Sequence, residues 1–424
     1  MNFIFNTLSS LLLFMMIFFP MTYQKYKIII IGFLTIGMIG KLVKYDIKIS
    51  KKVYLWYSIL IIYGLIWGYY GLMKGNPGAN DFIRLNVFWV LIYFLYTIFI
   101  DKKILYILVN TIVYSTFLIS VYNILSVLDK LGWITFGLYN YLDTGTRIGI
   151  HPGYIQITTH NIASLTYTVP FVIVVYIMSY SKYKINISKK ILFITMILSL
   201  VTVLLSGRRA LMIAIILIPF LIIPVCYILN IIDDVKKGIK IYLGIFTIII
   251  VIALMFILLN LSVDTISLYI QRFLGAFDSS EQNERIVQFE MLMSGFAKNP
   301  IIGSGPGIGV DYIRSIESPW IYELSYVQQL YNTGILGMMI YIILIIYMYI
   351  KILFITYKRK QYSAISIPLI VGMTSFLIAN ATNPYLAKYD HMWTIFLTIS
   401  FINICSIERS NEYNAWEWKI TRIK

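Results

Sequence analysis

The sequence predicts an all-helical bundle that crosses a membrane about twelve times, and three observations carry this. Apolar residues fill 59% of the 424 positions and charged residues only 13%, a balance outside that of soluble domains. Apolar runs able to cross a hydrocarbon core of roughly 30 Å recur from end to end. The cations crowd into alternate connections, as the positive-inside rule expects of cytoplasmic loops.

In chain order the runs lie at roughly 3–20, 28–40, 53–73, 85–100, 104–128, 163–180, 191–205, 210–232, 241–263, 328–350, 363–380 and 392–407. The first has neither a basic start nor a small-residue cleavage site, and a second apolar run follows at once. It reads as a retained helix and not as a cleaved signal. The second run is the shortest. Most connections are short, but a polar segment at 129–161 precedes the sixth run. A larger one at 264–326 separates the ninth from the tenth. No stretch reads as a separate soluble domain. The expectation is one membrane domain, 1–424, with 264–326 as one large ordered outer loop, since its many Ile, Leu, Phe, Met and Tyr argue for packing.

With the N-terminus inside, the inner segments carry 22 of the 35 Lys and Arg and seven of the 19 acids, a net of +15 against +1 outside. The reverse topology would violate the charge rule heavily, so both termini are expected in the cytoplasm. The overall +16 then reflects topology. It calls for no nucleic-acid partner, and no nucleic-acid motif is present. Cys226 and Cys405 fall inside runs, which speaks against a disulfide. Three His and two Cys have no metal-ligand spacing, so no metal is expected. The 35 tyrosines suit aromatic belts at both interfaces.

Against this pattern one motif stands out. Ser206-Gly207-Arg208-Arg209 joins the seventh and eighth runs on the side where positive charge is least expected. Two guanidinium groups held at an outer face suit a phosphate or pyrophosphate headgroup. The bland alternative is a pair of snorkelling arginines that anchor helix ends.

The large loop can be read in parts. Ser279 followed by Gln282 is a capping-box pattern, and a helix is expected to run to Lys298 and stop at Asn299-Pro300. Its apolar stripe of Ile286, Phe289, Leu292, Met293 and Phe296 suits a helix lying on the membrane surface. Arg285 stands near its start. Gly303, Gly305, Gly307 and Gly309 mark a backbone that turns tightly or approaches something closely. No Lys-Ser or Lys-Thr follows them, so this is not a Walker loop.

Arg272, Arg285 and Arg314 are candidate anion clamps, or else solvated charges paired with Glu281, Glu284 or Asp311. Glu323, just before the tenth run, is a candidate general base or an ordinary interfacial acid. Asn380, Asn383, Asp390 and His391 surround a turn at Pro384. They could bind sugar hydroxyls or simply end the helix. The first long loop holds Asp143, Arg147, His151 and His160, with tyrosines able to stack on sugars. Its Arg147–Tyr154 stretch, with two Gly and a Pro, reads as irregular. Almost no ionisable residue lies deep within a run, which disfavours an ion-coupled transporter but leaves a flippase open.

Three of these motifs in this order resemble the O-antigen ligase and polymerase superfamily, the Wzy-like polysaccharide polymerases and their ligase relatives. Ser206-Gly207-Arg208-Arg209 stands where the family has a Ser-x-Ser-Arg-like sequence. Arg285, its helix and the Asn299-Pro300-Ile301-Ile302-Gly303-Ser304-Gly305 run resemble the family's loop. Glu323 leads into a Gly334-x-x-Gly337 span as the family's loop does. The likeness covers about 190–340; elsewhere only hydropathy matches.

The resemblance implies an inverting, metal-independent glycosyltransferase without a cofactor. It would work at the outer face of the bacterial cytoplasmic membrane on donors and acceptors linked to undecaprenyl diphosphate. Its partners would be membrane lipid and a chain-length regulator. Carried onto this chain, Arg208 or Arg209, together with Arg285, holds the diphosphate. Two departures stand out. Ligases of the superfamily carry a His where this chain has Glu323, and 264–326 contains no His. That favours a polymerase with Glu323 as general base over a ligase. The family also has one arginine where this chain has two.

Overall fold

The computed structural model describes residues 2–44, 47–135, 137, 148–151, 154–260, 284–413 and 418–420. The protein is an all-α membrane bundle, and each of the twelve apolar runs falls on a helix. These are α1 (Asn2–Phe18), α2 (Gln24–Lys44), α3 (Lys51–Met73), α4 (Ala79–Phe99, with a π-helical turn at Arg84–Trp89) and α5 (Lys102–Lys130). Next come α6 (Ile162–Met178), α7 (Lys189–Ser206), α8 (Arg209–Ile228) and α9 (Ile232–Asn260). The loop helix α10 (Glu284–Lys298) precedes α11 (Ser325–Lys358), α12 (Ser363–Asn380) and α13 (Tyr389–Tyr413). Among the described residues nine helices are long and apolar enough to cross a membrane, and α1 and α6 are shorter apolar helices.

Helices α6, α12 and α13 form the centre, and nearly every residue of α6 is buried. Between helices in a bilayer apolar burial gains little, so close packing and hydrogen bonds must hold the bundle. Both are visible. Gly372 of α12 leaves room for Tyr167 of α6, whose ring would stand 3.2 Å from an added Cβ. Thr97 of α4 lies 2.6 Å from the Tyr57 hydroxyl of α3 and 2.9 Å from Ser400 of α13. Pro219 inside α8 has no N–H to give the Ile215 carbonyl one turn earlier. The Tyr242 hydroxyl of α9 donates to that carbonyl at 3.0 Å.

The connections segregate into two ends. The segments expected inside meet at one end. There β1 (Ile47–Ile49) pairs antiparallel with β4 (Trp418–Ile420), the Ser50 N–H donates to Asn403, and Lys102 and Arg359 lie 3.8 and 3.9 Å from Glu408. The segments expected outside meet at the other end. Lys27 of α2 is ion-paired at 3.0 Å with Asp390 of α13, and both side chains are buried. The second Asp390 oxygen accepts from the Met21 N–H at 2.8 Å and from Gln24 at 2.7 Å. Asp390 therefore clamps the α1–α2 turn onto α13.

One segment departs from the reading of irregular loop. Ile148–His151 (β2) and Tyr154–Ile157 (β3) form an antiparallel hairpin, with Ile148 opposite Ile157 and Ile150 opposite Ile155. The isoleucines alternate with period two, as a strand requires, and the Gly and Pro content masked that signal.

The glycine run is the seam that fixes the outer loop. Gly303, Gly305 and Gly307 have φ of 77°, 86° and 86°, the left-handed region that favours glycine. An added Cβ would lie 2.5 Å from the Asn332 backbone at Gly303 and 2.2 Å from the Ala79 nitrogen at Gly307. Gly334 breaks α11 with φ 64° and ψ −171°. Across that break the N–H groups of Ile335 and Leu336 donate to Pro300 and Ile301, and those of Ser304 and Gly305 donate to Tyr331 and Asn332. On the other side Trp67 donates to Ile302 and Asn76 to Pro306. What the glycines approach so closely is the backbone of α11 and of the α3–α4 corner.

Helix α10 ends at Lys298, before Asn299-Pro300, as expected. Its stripe divides. Leu292 is buried in a small core with Tyr322 and Tyr331, while Phe289 is 48% exposed.

Candidate functional site

The turn between α7 and α8 is only two residues long. Gly207 caps α7 in the left-handed conformation (φ 61°, ψ 12°), and Arg208 is extended (φ −90°, ψ 106°) before α8 starts at Arg209. Ser206 locks the turn by accepting from the Arg208 N–H at 3.2 Å and donating to the Val203 carbonyl at 2.7 Å. Strand β3 lies across it, since a Cβ on Gly207 would stand 3.2 Å from the Ile155 carbonyl. The Arg208 Nε is buried with no hydrogen-bond partner among the described residues. Arg209 is half-buried at the first position of α8.

Glu323, before α11, meets two arginines. Its Oε2 accepts from the Arg285 Nε at 2.8 Å and its Oε1 from the Arg314 guanidinium at 3.0 Å. The Glu323 backbone N–H donates to Gln288 at 2.9 Å, and Gln288 is fully buried in α10. So α10 presents Arg285 and, one turn on, the residue that positions Glu323.

Tyr385 brings this loop cluster and the α7–α8 turn together. It begins a short 3₁₀ turn, Tyr385–Ala387, between α12 and α13, and its N–H donates to the Asn383 carbonyl at 2.8 Å. Burial pushes its phenol above the ordinary value of 10. Arg208 and Arg285 act against that shift, and Glu323 adds to it. Three residues from three separated segments therefore lie within electrostatic reach of one ring. Burial lowers the Lys388 ammonium from its ordinary value; Asp390 opposes this and Arg314 adds to it. Arg314 and Lys388 thus extend the cationic cluster.

Of the sequence candidates, Glu323 pairs directly with Arg285 and Arg314, and Arg208 lies within electrostatic reach of Tyr385 beside them. Asn383 lies in the turn that carries Tyr385, and its amide donates to Thr382 at 3.3 Å. Asp390 is engaged in the buried pair with Lys27. His391 is buried beside it, its ring 5.7 Å from that of Tyr385 and within electrostatic reach of His160. His151 ends strand β2, and its backbone pairs with Tyr154. Asp143, Arg147, Arg272, Ser279 and Gln282 lie outside the described residues. Sequence reasoning missed Tyr385, Lys388 and Gln288. An aromatic directly after Asn383-Pro384 was a readable signal for the first. The other two carry none, because their relevance comes from long-range packing.

Arginines clustered beside partly buried groups can stabilise a phosphate leaving group, and a carboxylate beside them can take a proton. Residues 194–342 match the family model Wzy_C, described as O-antigen ligase, and this stretch holds Arg208, Arg209, Arg285, Arg314 and Glu323. Comparison with curated proteins finds no match. The order of the motifs and the matching family model place residues 194–342 of this multi-pass membrane protein in the O-antigen ligase/polymerase superfamily.

Proposed function

We propose that this protein is an O-antigen or capsular polysaccharide polymerase of the bacterial cytoplasmic membrane. It joins oligosaccharide repeat units carried on undecaprenyl diphosphate at the outer face. The acceptor hydroxyl oxygen attacks the anomeric carbon of the donor. The bond from that carbon to the diphosphate oxygen breaks, and a single displacement inverts the configuration. Arg208, Arg209 and Arg285 take the charge of the departing diphosphate, and Glu323 takes the hydroxyl proton.

The pairing of Glu323 with Arg285 and Arg314 carries this reading, with Arg208 within electrostatic reach of the same turn. Both Glu323 oxygens are engaged, yet an ionised carboxylate has about four lone-pair positions, so a hydroxyl can still approach. Arg285 is 47% exposed, and an ion pair so open to water contributes at most about 1 kcal/mol. A diphosphate can therefore draw Arg285 away and leave Glu323 to the acceptor. Arg314 and Lys388 add positive charge to the same basin.

The description of the matched family favours a second reading, a ligase that moves finished glycan to another acceptor. Glu323 in the position of the ligase His supports the polymerase. Glycan length in a deletion strain, complemented with wild type or Arg285→Ala, tests both. The polymerase reading expects the deletion to leave one capped repeat unit and wild type to restore a ladder. Long polymer retained on its lipid carrier would make the protein a ligase. Repeat units trapped at the inner leaflet would make it a transporter.

A further inference from the structure

Extending the polymerase reading, on which this rests, we propose that Arg314 and Lys388 seat an acidic sugar: the carboxylate of a hexuronic acid at the reacting end of the acceptor. Glu323 is shared between two arginines, its Oε2 with Arg285 at 2.8 Å and its Oε1 with Arg314 at 3.0 Å. One carboxylate cannot offset two guanidinium groups. Lys388 brings a further cation within electrostatic reach of Arg314. Its Nζ meets the Met21 thioether at 2.7 Å and, among the described residues, no carboxylate at ion-pair distance. A thioether is only a weak acceptor. Asp390 stands two residues on, but its oxygens are already engaged, one with Lys27 and the other with the Met21 N–H and Gln24. Arg314 and Lys388 therefore hold more positive charge than the described residues offset.

Position decides which substrate group answers that charge. Arg208 and Arg285, the cations given to the donor diphosphate, both act on Tyr385. Arg314 holds the other oxygen of Glu323, the group given to the acceptor hydroxyl. When Glu323 takes the hydroxyl proton its charge is gone, and Arg314 loses its counter-charge while Lys388 stays beside it. A carboxylate on the acceptor sugar supplies that charge at the moment it is needed. The acceptor's own diphosphate does not, because it lies at the far end of the oligosaccharide from the reacting hydroxyl. Both cations are open to a ligand, Arg314 being 33% exposed and Lys388 partly buried. A guanidinium fork takes a carboxylate through two parallel hydrogen bonds, and an ammonium adds a point charge beside it.

The test uses the purified full-length protein with lipid-linked polymer from its own host as donor. The acceptors are single lipid-linked repeat units from that host, either intact or with their carboxyl groups converted to methyl esters. For wild type the acceptor KM should be at least about tenfold lower for the intact unit than for the ester, as loss of charge-assisted hydrogen bonds implies. In Arg314→Gln combined with Lys388→Met the two KM values should agree within about threefold, and Lys388→Arg alone should keep the preference. The wild-type comparison stands without any variant, so a double variant that fails to fold leaves it intact. A repeat unit that carries no carboxylate, or equal use of both forms by wild type, would overturn the proposal. A preference that the folded double variant retains would overturn it too, because the two cations would then serve the diphosphate alone. Long chains made without any acid preference would sink this proposal and leave the polymerase reading standing. No extension of either form by wild type would overturn that reading, and this proposal with it.

Discussion

Asp390→Ala removes the counter-charge of Lys27 and leaves the ammonium buried. The two side chains are 1% and 0% exposed and 3.0 Å apart. The substitution also orphans the Met21 N–H and the Gln24 amide. Breaking one side of a buried pair costs about 3–5 kcal/mol. With about 1.4 kcal/mol per factor of ten, the clamp between the α1–α2 turn and α13 should open roughly 10²- to 4 × 10³-fold more often. Cys226 and Cys405 report how far the opening spreads through the bundle. Both are free and buried, and Cys405 lies on the same helix as Asp390. In detergent at a fixed temperature, labelling by a fluorogenic maleimide should accelerate by about that factor if opening limits it. Lys27→Met combined with Asp390→Leu should recover most of the loss, because no lone charge stays buried. The reasoning fails if Asp390→Ala labels like wild type yet makes no polymer; Asp390 would then act on substrate.

Other tests address the site and its frame. Arg208→Ala and Arg285→Ala should each lower the rate of chain extension by roughly 10²–10³ at normal protein level, measured with purified lipid-linked repeat units, and lysine should restore only part of it. Burial raises the Tyr385 phenol from its ordinary value, so it stays protonated up to pH 9, and wild type and Tyr385→Phe should have parallel pH–rate profiles to that point. Profiles that diverge below that pH would mean that a phenolate forms in the working enzyme. Gly307→Ala should abolish stable expression, because φ is 86° and its Cβ would overlap the Gly78–Ala79 backbone. Tyr242→Phe strips the hydroxyl from the carbonyl that Pro219 leaves unpaired and should cost about 1 kcal/mol in detergent unfolding.

What could be read from the residues depended on whether the signal was local. The apolar runs are local, and each became a helix. The stop of α10 at Asn299-Pro300 is local chemistry too, as is the close approach announced by four glycines. Asp390 shows the limit. Beside a turn it reads as a ligand for sugar, and its partner Lys27 lies 363 positions away with nothing to link them in the sequence. Tyr385 becomes a site residue only because the fold brings Arg208, Arg285 and Glu323 within electrostatic reach of it. The β2–β3 hairpin had a local signal, alternating isoleucines, that Gly and Pro concealed.

The two-residue turn at Gly207-Arg208 has a mechanical consequence. Helices of 18 and 20 residues flank it, about 27 and 30 Å long. With no slack between them, the arginines cannot slide along the bilayer normal independently of those helices. Their height is set by how well α7 and α8 match the thickness of the lipid around them. With the proposed function, the protein then works as a gauge as well as a catalyst. In bilayers of shorter or longer acyl chains, the plane of the guanidinium groups would shift against the diphosphates that float at the lipid surface, and turnover should peak at the thickness the helices were cut to fit.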